Sequence, residues 1–138
     1  MNRTDLQQLA DMRVAEAKML LAGNCFHGAY YLCGYAIECA LKACIAKETK
    51  EFDFPDKRVA ANSHTHDLKI LLGLSRLSDS MNAARRANLI LDRYWALVVE
   101  WSEDSRYKTR IQKSEAHDLF EAVAHPTNGV LTWLKNWW

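Results

Sequence analysis

Residues 28–43, GAYYLCGYAIECALKA, constrain what this chain can fold into more than any other stretch. The run is apolar nearly all round a helix, and such a helix has to be wrapped by others, at the centre of a bundle. Ala29, Gly34, Ala36, Ala40 and Ala43 are small enough to let neighbouring helices approach closely. Glu38 and Lys42 stand four residues apart and can pair along the helix surface. A carboxylate in such a segment needs a partner, because an unpaired buried charge is expensive. Lys42 is the local candidate and Arg106 the long-range one.

The rest of the chain supplies the wrapping helices. Residues 4–22 carry Leu6, Leu9, Ala10, Val14, Ala17, Leu20 and Leu21 at helical spacing, behind a Thr4-x-x-Gln7 capping box. Gly23 and Asn24 stop that helix, and a second runs from about Cys25 to Glu48, antiparallel to the first. From Thr49 to Thr65 periodicity is lost around Phe52, Phe54 and Pro55, and loops of this length often carry function. His66-Asp67-Leu68 opens a short helix through Leu74. Ser78 or Ser80 caps the next, which reaches about Trp101. After the polar turn WSEDSRYK, a Thr109–Gln112 capping box starts a last long helix to about His125. Pro126 interrupts, and Val130, Leu131, Trp133, Leu134 and Trp137 form a short amphipathic end piece. No strand alternation or repeat appears. The expected fold is all-α, a single domain over residues 1–138, an up-and-down bundle of four to five helices.

Composition narrows the function classes. At 138 residues with a net charge of +1, the chain lacks a large nonspecific grip on nucleic acid, though a local basic patch is compatible with it. No uninterrupted apolar stretch is long enough to cross a membrane, and the N-terminal residues lack the apolar core of a signal peptide. A cytoplasmic location is the expectation. Cys25, Cys33, Cys39 and Cys44 fan out around one helix and have no CxxC spacing, so they read as reduced core thiols.

Three groups of residues could do chemistry. Arg110 and His117, seven apart, fall about 20° short of two helical turns and would share a helix face. There a guanidinium can hold a phosphate bidentately while an imidazole moves protons. His117, Glu121 and His125 form a second stripe, but one helix spreads them too widely for one ion; a metal would need His64 or His66 as well. No metal and no cofactor are expected. Arg106 and Tyr107 follow Trp101 at a helix–turn junction, where the Arg could bind phosphate or neutralise Glu38. His66 and Asp67 sit at a helix entry, and Asp67 complements the helix dipole there. Arg106, Tyr107, His66, Asp67, Glu38 and Lys42 are the candidate binding residues. No Gly-rich phosphate loop, GxSxG elbow or HExxH occurs.

Taken in order, GAYYLCGYAIECALKACIA, THDLKILL and WSEDSRY resemble the HEPN family, the higher eukaryotes and prokaryotes nucleotide-binding domain. The resemblance covers essentially the whole chain. It implies a helical bundle that usually dimerises, encoded in many prokaryotes beside a minimal nucleotidyltransferase, in toxin–antitoxin or defence settings. Some members are metal-independent endoribonucleases that use an Arg, four to six intervening residues and a His. Carried onto this sequence, the pair is Arg110 and His117; Arg58 and His64 have the spacing but lie in the irregular stretch. The family often has a polar residue after the Arg, where this chain has Ile111. Two expectations follow. One is an RNA-cleaving toxin; the other is a noncatalytic nucleotide- or protein-binding module acting with a nucleotidyltransferase. A homodimer is expected in either case, with Trp133, Trp137 and Trp138 as interface candidates.

Overall fold

The computed structural model of the chain describes residues 1–51 and 57–138. Phe52, Phe54 and Pro55 lie outside the described residues, as does the side chain of Arg58. The described residues form eight α-helices and one 3₁₀ turn, with no strand among them. The helices are α1 (Arg3–Ala22), α2 (Phe26–Glu51), α3 (Lys57–Asn62), α4 (Leu68–Leu74), α5 (Ser78–Ala87), α6 (Leu89–Val99), α7 (Lys113–Ala124) and α8 (Val130–Leu134). The 3₁₀ turn is Glu103–Tyr107, between α6 and α7. None of the described helices is long and apolar enough to cross a membrane.

α2 is the centre. It packs against α1, α4, the 3₁₀ turn, α7 and α8. Residues 36–41 are buried without a break, as an all-round apolar helix requires. Its small residues set the approach distances, and Gly34 shows why. A Cβ built there would lie 2.1 Å from Cδ2 of Trp101, so only glycine lets the indole lie flat against the helix.

The helix ends depart from expectation in instructive ways. α1 is capped by Asn2, not Thr4: the Asn2 side chain accepts from the Asp5 N–H at 2.9 Å, and the Asp5 carboxylate accepts from the Asn2 N–H at 3.1 Å. The carboxylate is a charged acceptor and makes the stronger box. Asn24, not Gly23, takes the left-handed conformation in the turn to α2, with φ of 60°. Residues 49–65 are less irregular than their composition suggests, since α2 continues to Glu51 and α3 occupies Lys57–Asn62.

The single helix expected up to Trp101 is two. Asn88 is extended, and its side-chain oxygen caps the N–H groups of Ile90 and Leu91 at 3.1 and 3.2 Å. Its amide also donates to Asn128 Oδ1 at 2.9 Å, tying α6 to the turn before α8. That second turn is held from inside: His125 Nδ1 accepts the N–H groups of Thr127 and Asn128 at 3.2 and 3.0 Å. Gly129 closes it where a Cβ would meet the His125 carbonyl oxygen at 2.6 Å.

The terminal tryptophans fold back on their own chain. Trp133 and Trp137 pair with ring centroids 5.6 Å apart, and Lys135 Nζ lies 5.5 Å from the Trp138 ring centroid. Lys135 also reaches Asp11 of α1 at 2.7 Å, and Arg3 donates to the Trp138 backbone oxygen. These rings close one end of the bundle.

Candidate functional site

The most elaborate polar arrangement sits where α4 enters against α2. Glu38 is 2% exposed, and its Oε1 is 3.0 Å from Lys42 Nζ and 2.7 Å from His66 Nδ1. The other face of the same imidazole points at the 3₁₀ turn, with Nε2 3.1 Å from Glu103 Oε2. A neutral imidazole has one N–H and a carboxylate only accepts, so a ring satisfying both bonds carries both protons. Lys42 is thus the local partner of Glu38, as its i+4 position predicts. The long-range partner is His66 and not Arg106. His66 reads in the sequence as a helix-entry residue, and only the docking of α4 on α2 brings it to a carboxylate 28 positions earlier.

Asp67 does what its place at a helix start predicts, accepting from the Ile70 N–H at 3.0 Å. Beside it opens a cleft of about 380 Å³ between residues 65–69 and the α6–turn junction. Asp67, Glu103 and Asp104 line it with Lys69, His66 and Trp101, a predominantly acidic set that repels phosphate. Three buried side-chain atoms at this junction lack a hydrogen-bond partner: Glu38 Oε2, Trp101 Nε1 and Ser105 Oγ.

The second feature follows immediately. Residues 106–113, RYKTRIQK, carry Arg106, Lys108, Arg110 and Lys113, all exposed, and only Ile111 of the eight is buried. Tyr107 is 71% exposed, and the Arg106 guanidinium carbon lies 4.8 Å from its ring centroid. Contact with Tyr107, helped by Glu103 and Tyr31, raises the Arg106 pKa above its ordinary value, so the charge is permanent. Among the described residues no ion pair engages Lys108, Arg110 or Lys113. Two nearby carboxylates are turned elsewhere. Glu103 faces His66, and Glu115 accepts from the Gln112 N–H at 3.4 Å to cap α7.

Arg110 and His117 do not share a helix. The cap at Gln112 starts α7 at Lys113, so Arg110 lies in the extended approach to it and the expected two-turn register does not apply. The cause is Ile111, which is drawn into the core while its N–H binds His27 Nε2 at 3.2 Å. His117 is exposed on α7, its ring 6.2 Å from that of Phe26. His27 and Phe26 thus join this region from the start of α2, a connection that no spacing in the sequence signals.

The His117–Glu121–His125 stripe is divided among structural tasks. Glu121 accepts from the Tyr94 hydroxyl at 3.2 Å, and His125 Nδ1 holds the turn already described. Among the described residues no three metal-ligating side chains come together. His64 is exposed in the segment leading to α4. Of the cysteines, Cys33, Cys39 and Cys44 are buried in the core as expected, but Cys25 is exposed in the α1–α2 turn. Burial pushes the Cys33 and Cys44 thiols up to about 12 and that of Cys39 up to about 11, which leaves them unreactive. Compared with family models, curated proteins and solved structures, the chain matches none.

Proposed function

We propose that this chain is a HEPN-like helical module that engages single-stranded RNA or nucleotide phosphates through residues 106–113. The observation that carries this reading is the concentration of four exposed cations and an exposed tyrosine in eight residues, with Glu103 and Glu115 bonded elsewhere. Phosphates take Arg and Lys, and an aromatic face stacks on any base, so the combination suits single strands. Net charge near neutrality is compatible with it, because the positive field is local. A homodimer would present two such segments, and a nucleotidyltransferase partner would fit the family resemblance.

Cleavage is the catalytic form of the same reading, favoured by His117 being exposed on the helix that the segment leads into. His117 takes the proton of a ribose 2′-hydroxyl, the 2′ oxygen bonds to phosphorus, and the P–O5′ bond breaks. The 5′ oxygen takes a proton from water, leaving a 2′,3′-cyclic phosphate. Arg110 stabilises the charge that develops on the phosphoryl oxygens.

Fluorescence anisotropy with a labelled single-stranded RNA tests the binding reading. Three phosphate contacts give a log–log salt slope of about −2 for a single strand. Arg110→Ala should make that slope shallower by about 0.7, and Tyr107→Ala should weaken binding at unchanged slope. Absence of salt-dependent binding at micromolar protein, or binding indifferent to both substitutions, overturns it.

A further inference from the structure

His66 bridges a carboxylate of α2 and a carboxylate of the 3₁₀ turn. Its Nδ1 faces Glu38 Oε1 at 2.7 Å, and its Nε2 faces Glu103 Oε2 at 3.1 Å. Glu103 stands three and four residues before Arg106 and Tyr107, the first two members of the basic segment. We propose that His66 is a positioning residue for this segment, and that a proton on its ring decides how firmly the start of the turn is held. The inference rests on the RNA reading above for its consequence, but not for the clamp itself.

The chemistry is a count of protons. With both nitrogens protonated the ring donates to both carboxylates, and each bond is charge-assisted. With one proton lost, only one bond survives. Glu38 is buried and also holds Lys42 at 3.0 Å, so it is the acceptor that cannot turn to water. Glu103 is partly exposed and can turn away, so the bond to the turn is the one given up. The charged and titratable groups around the ring are Glu38 and Lys42 from α2, Glu103 and Asp104 from the turn, and Asp67 and Lys69 at the start of α4. Imidazole is the side-chain type in this cluster whose charge ordinarily changes near neutral pH.

The chain on both sides of Glu103 has other anchors, Arg106 bonding to Tyr31 of α2 on one side and Trp101 packing on the other. Trp101 is wedged against Gly34 of α2 and does not titrate. Loss of the His66–Glu103 bond therefore loosens the start of the turn without detaching it. Arg106 keeps its charge, so what changes is where the Arg106–Tyr107 pair is presented, not how positive it is.

The test is amide hydrogen exchange of residues 103–107 in the whole chain, corrected for the intrinsic pH dependence, at about pH 6 and about pH 8. Protection in the wild type should fall about tenfold between the two, the loss of one charge-assisted bond. His66→Gln and Glu103→Gln should be weakly protected at both pH values. Flat protection in the wild type, or a full pH response in His66→Gln, overturns the clamp. RNA affinity should fall in parallel in the wild type and lose that part of its pH dependence in His66→Gln. The other histidines are present in both proteins, so the difference between them isolates His66. Affinity that ignores the change in protection overturns the link to the segment. A protein that shows the exchange response yet binds no RNA at either pH keeps the clamp and loses the RNA reading.

Discussion

Gly34 and Trp101 lie in direct contact across the α2–α6 junction, with no room for a methyl group between the helix backbone and the indole. The indole is buried, so it cannot swing into solvent to make space. Gly34→Ala should therefore destabilise the fold by about 1–3 kcal/mol through overpacking, despite alanine's better helix propensity. Chemical denaturation reads this directly. A neutral or stabilising effect would mean that the ring moves freely.

The buried carboxylate is the next test. Breaking a fully buried ion pair typically costs about 3–5 kcal/mol, because a charge is left uncompensated. Here Glu38 keeps His66 when Lys42 is lost, and Lys42 is 22% exposed, so Lys42→Met should cost less, about 1–3 kcal/mol. Adding Glu38→Gln to Lys42→Met should recover part of that loss, since the stranded charge goes with it. Additivity in this double-mutant cycle would contradict the pairing.

The three buried thiols make alkali a specific denaturant. Unfolded, they lose protons from about pH 8.5–9; folded, Cys33 and Cys44 hold theirs to about 12 and Cys39 to about 11. The native state then binds more protons than the unfolded one, so stability falls as pH rises through that window. Each thiol contributes a slope of about 1.4 kcal/mol per pH unit between its two values. Cys33→Ala should remove one such slope, about 1.4 kcal/mol per pH unit, from the decline between pH 9 and 11, whatever it does to absolute stability. At neutral pH a thiol reagent should modify Cys25 alone without denaturant.

Asn88 serves two elements at once, so its removal should cost more than an ordinary cap. Asn88→Ala loses the α6 cap, worth about 1 kcal/mol, and strands the side chain of Asn128. Asn88→Asp keeps the capping oxygen but loses the donor to Asn128, and should fall between wild type and alanine in a thermal melt.

If the module cleaves RNA, it should do so in the presence of a chelator. Arg110→Ala and His117→Ala should each abolish product while far-UV circular dichroism stays unchanged. His64→Ala should leave activity intact, because His64 lies outside both the basic segment and α7. Cleavage that survives His117→Ala, or that needs a divalent ion, would remove these two residues from the mechanism.

Residues 28–43 announced both the central helix and the Glu38–Lys42 pair, because local periodicity and i+4 geometry act within one element. Asp67 as a helix cap was legible for the same reason. What was hidden depends on docking. His66 meets Glu38 only because α4 packs on α2, and Arg110 leaves the helix because Ile111 prefers the core and His27 receives its N–H. Spacing treats residues 110 and 117 as members of one periodic element; burial of a single isoleucine between them ends that element early. Asn88 was passed over because a helix pattern runs through it on both sides, and nothing local signals that its partner is Asn128.

The central place of α2 also bears on how the chain comes off the ribosome. α1 and α2 are sequence neighbours and pack extensively, so that hairpin can form as soon as it emerges. The other faces of α2 are covered by the 3₁₀ turn, α7 and α8, which are made much later. At the usual pace of translation the remaining chain takes roughly 5–15 s to follow. For that interval the central helix of the fold is half-dressed. Until then the hairpin is open to chaperones and proteases, and Glu38, whose partner His66 is made later than Lys42, begins its life with one cation instead of two.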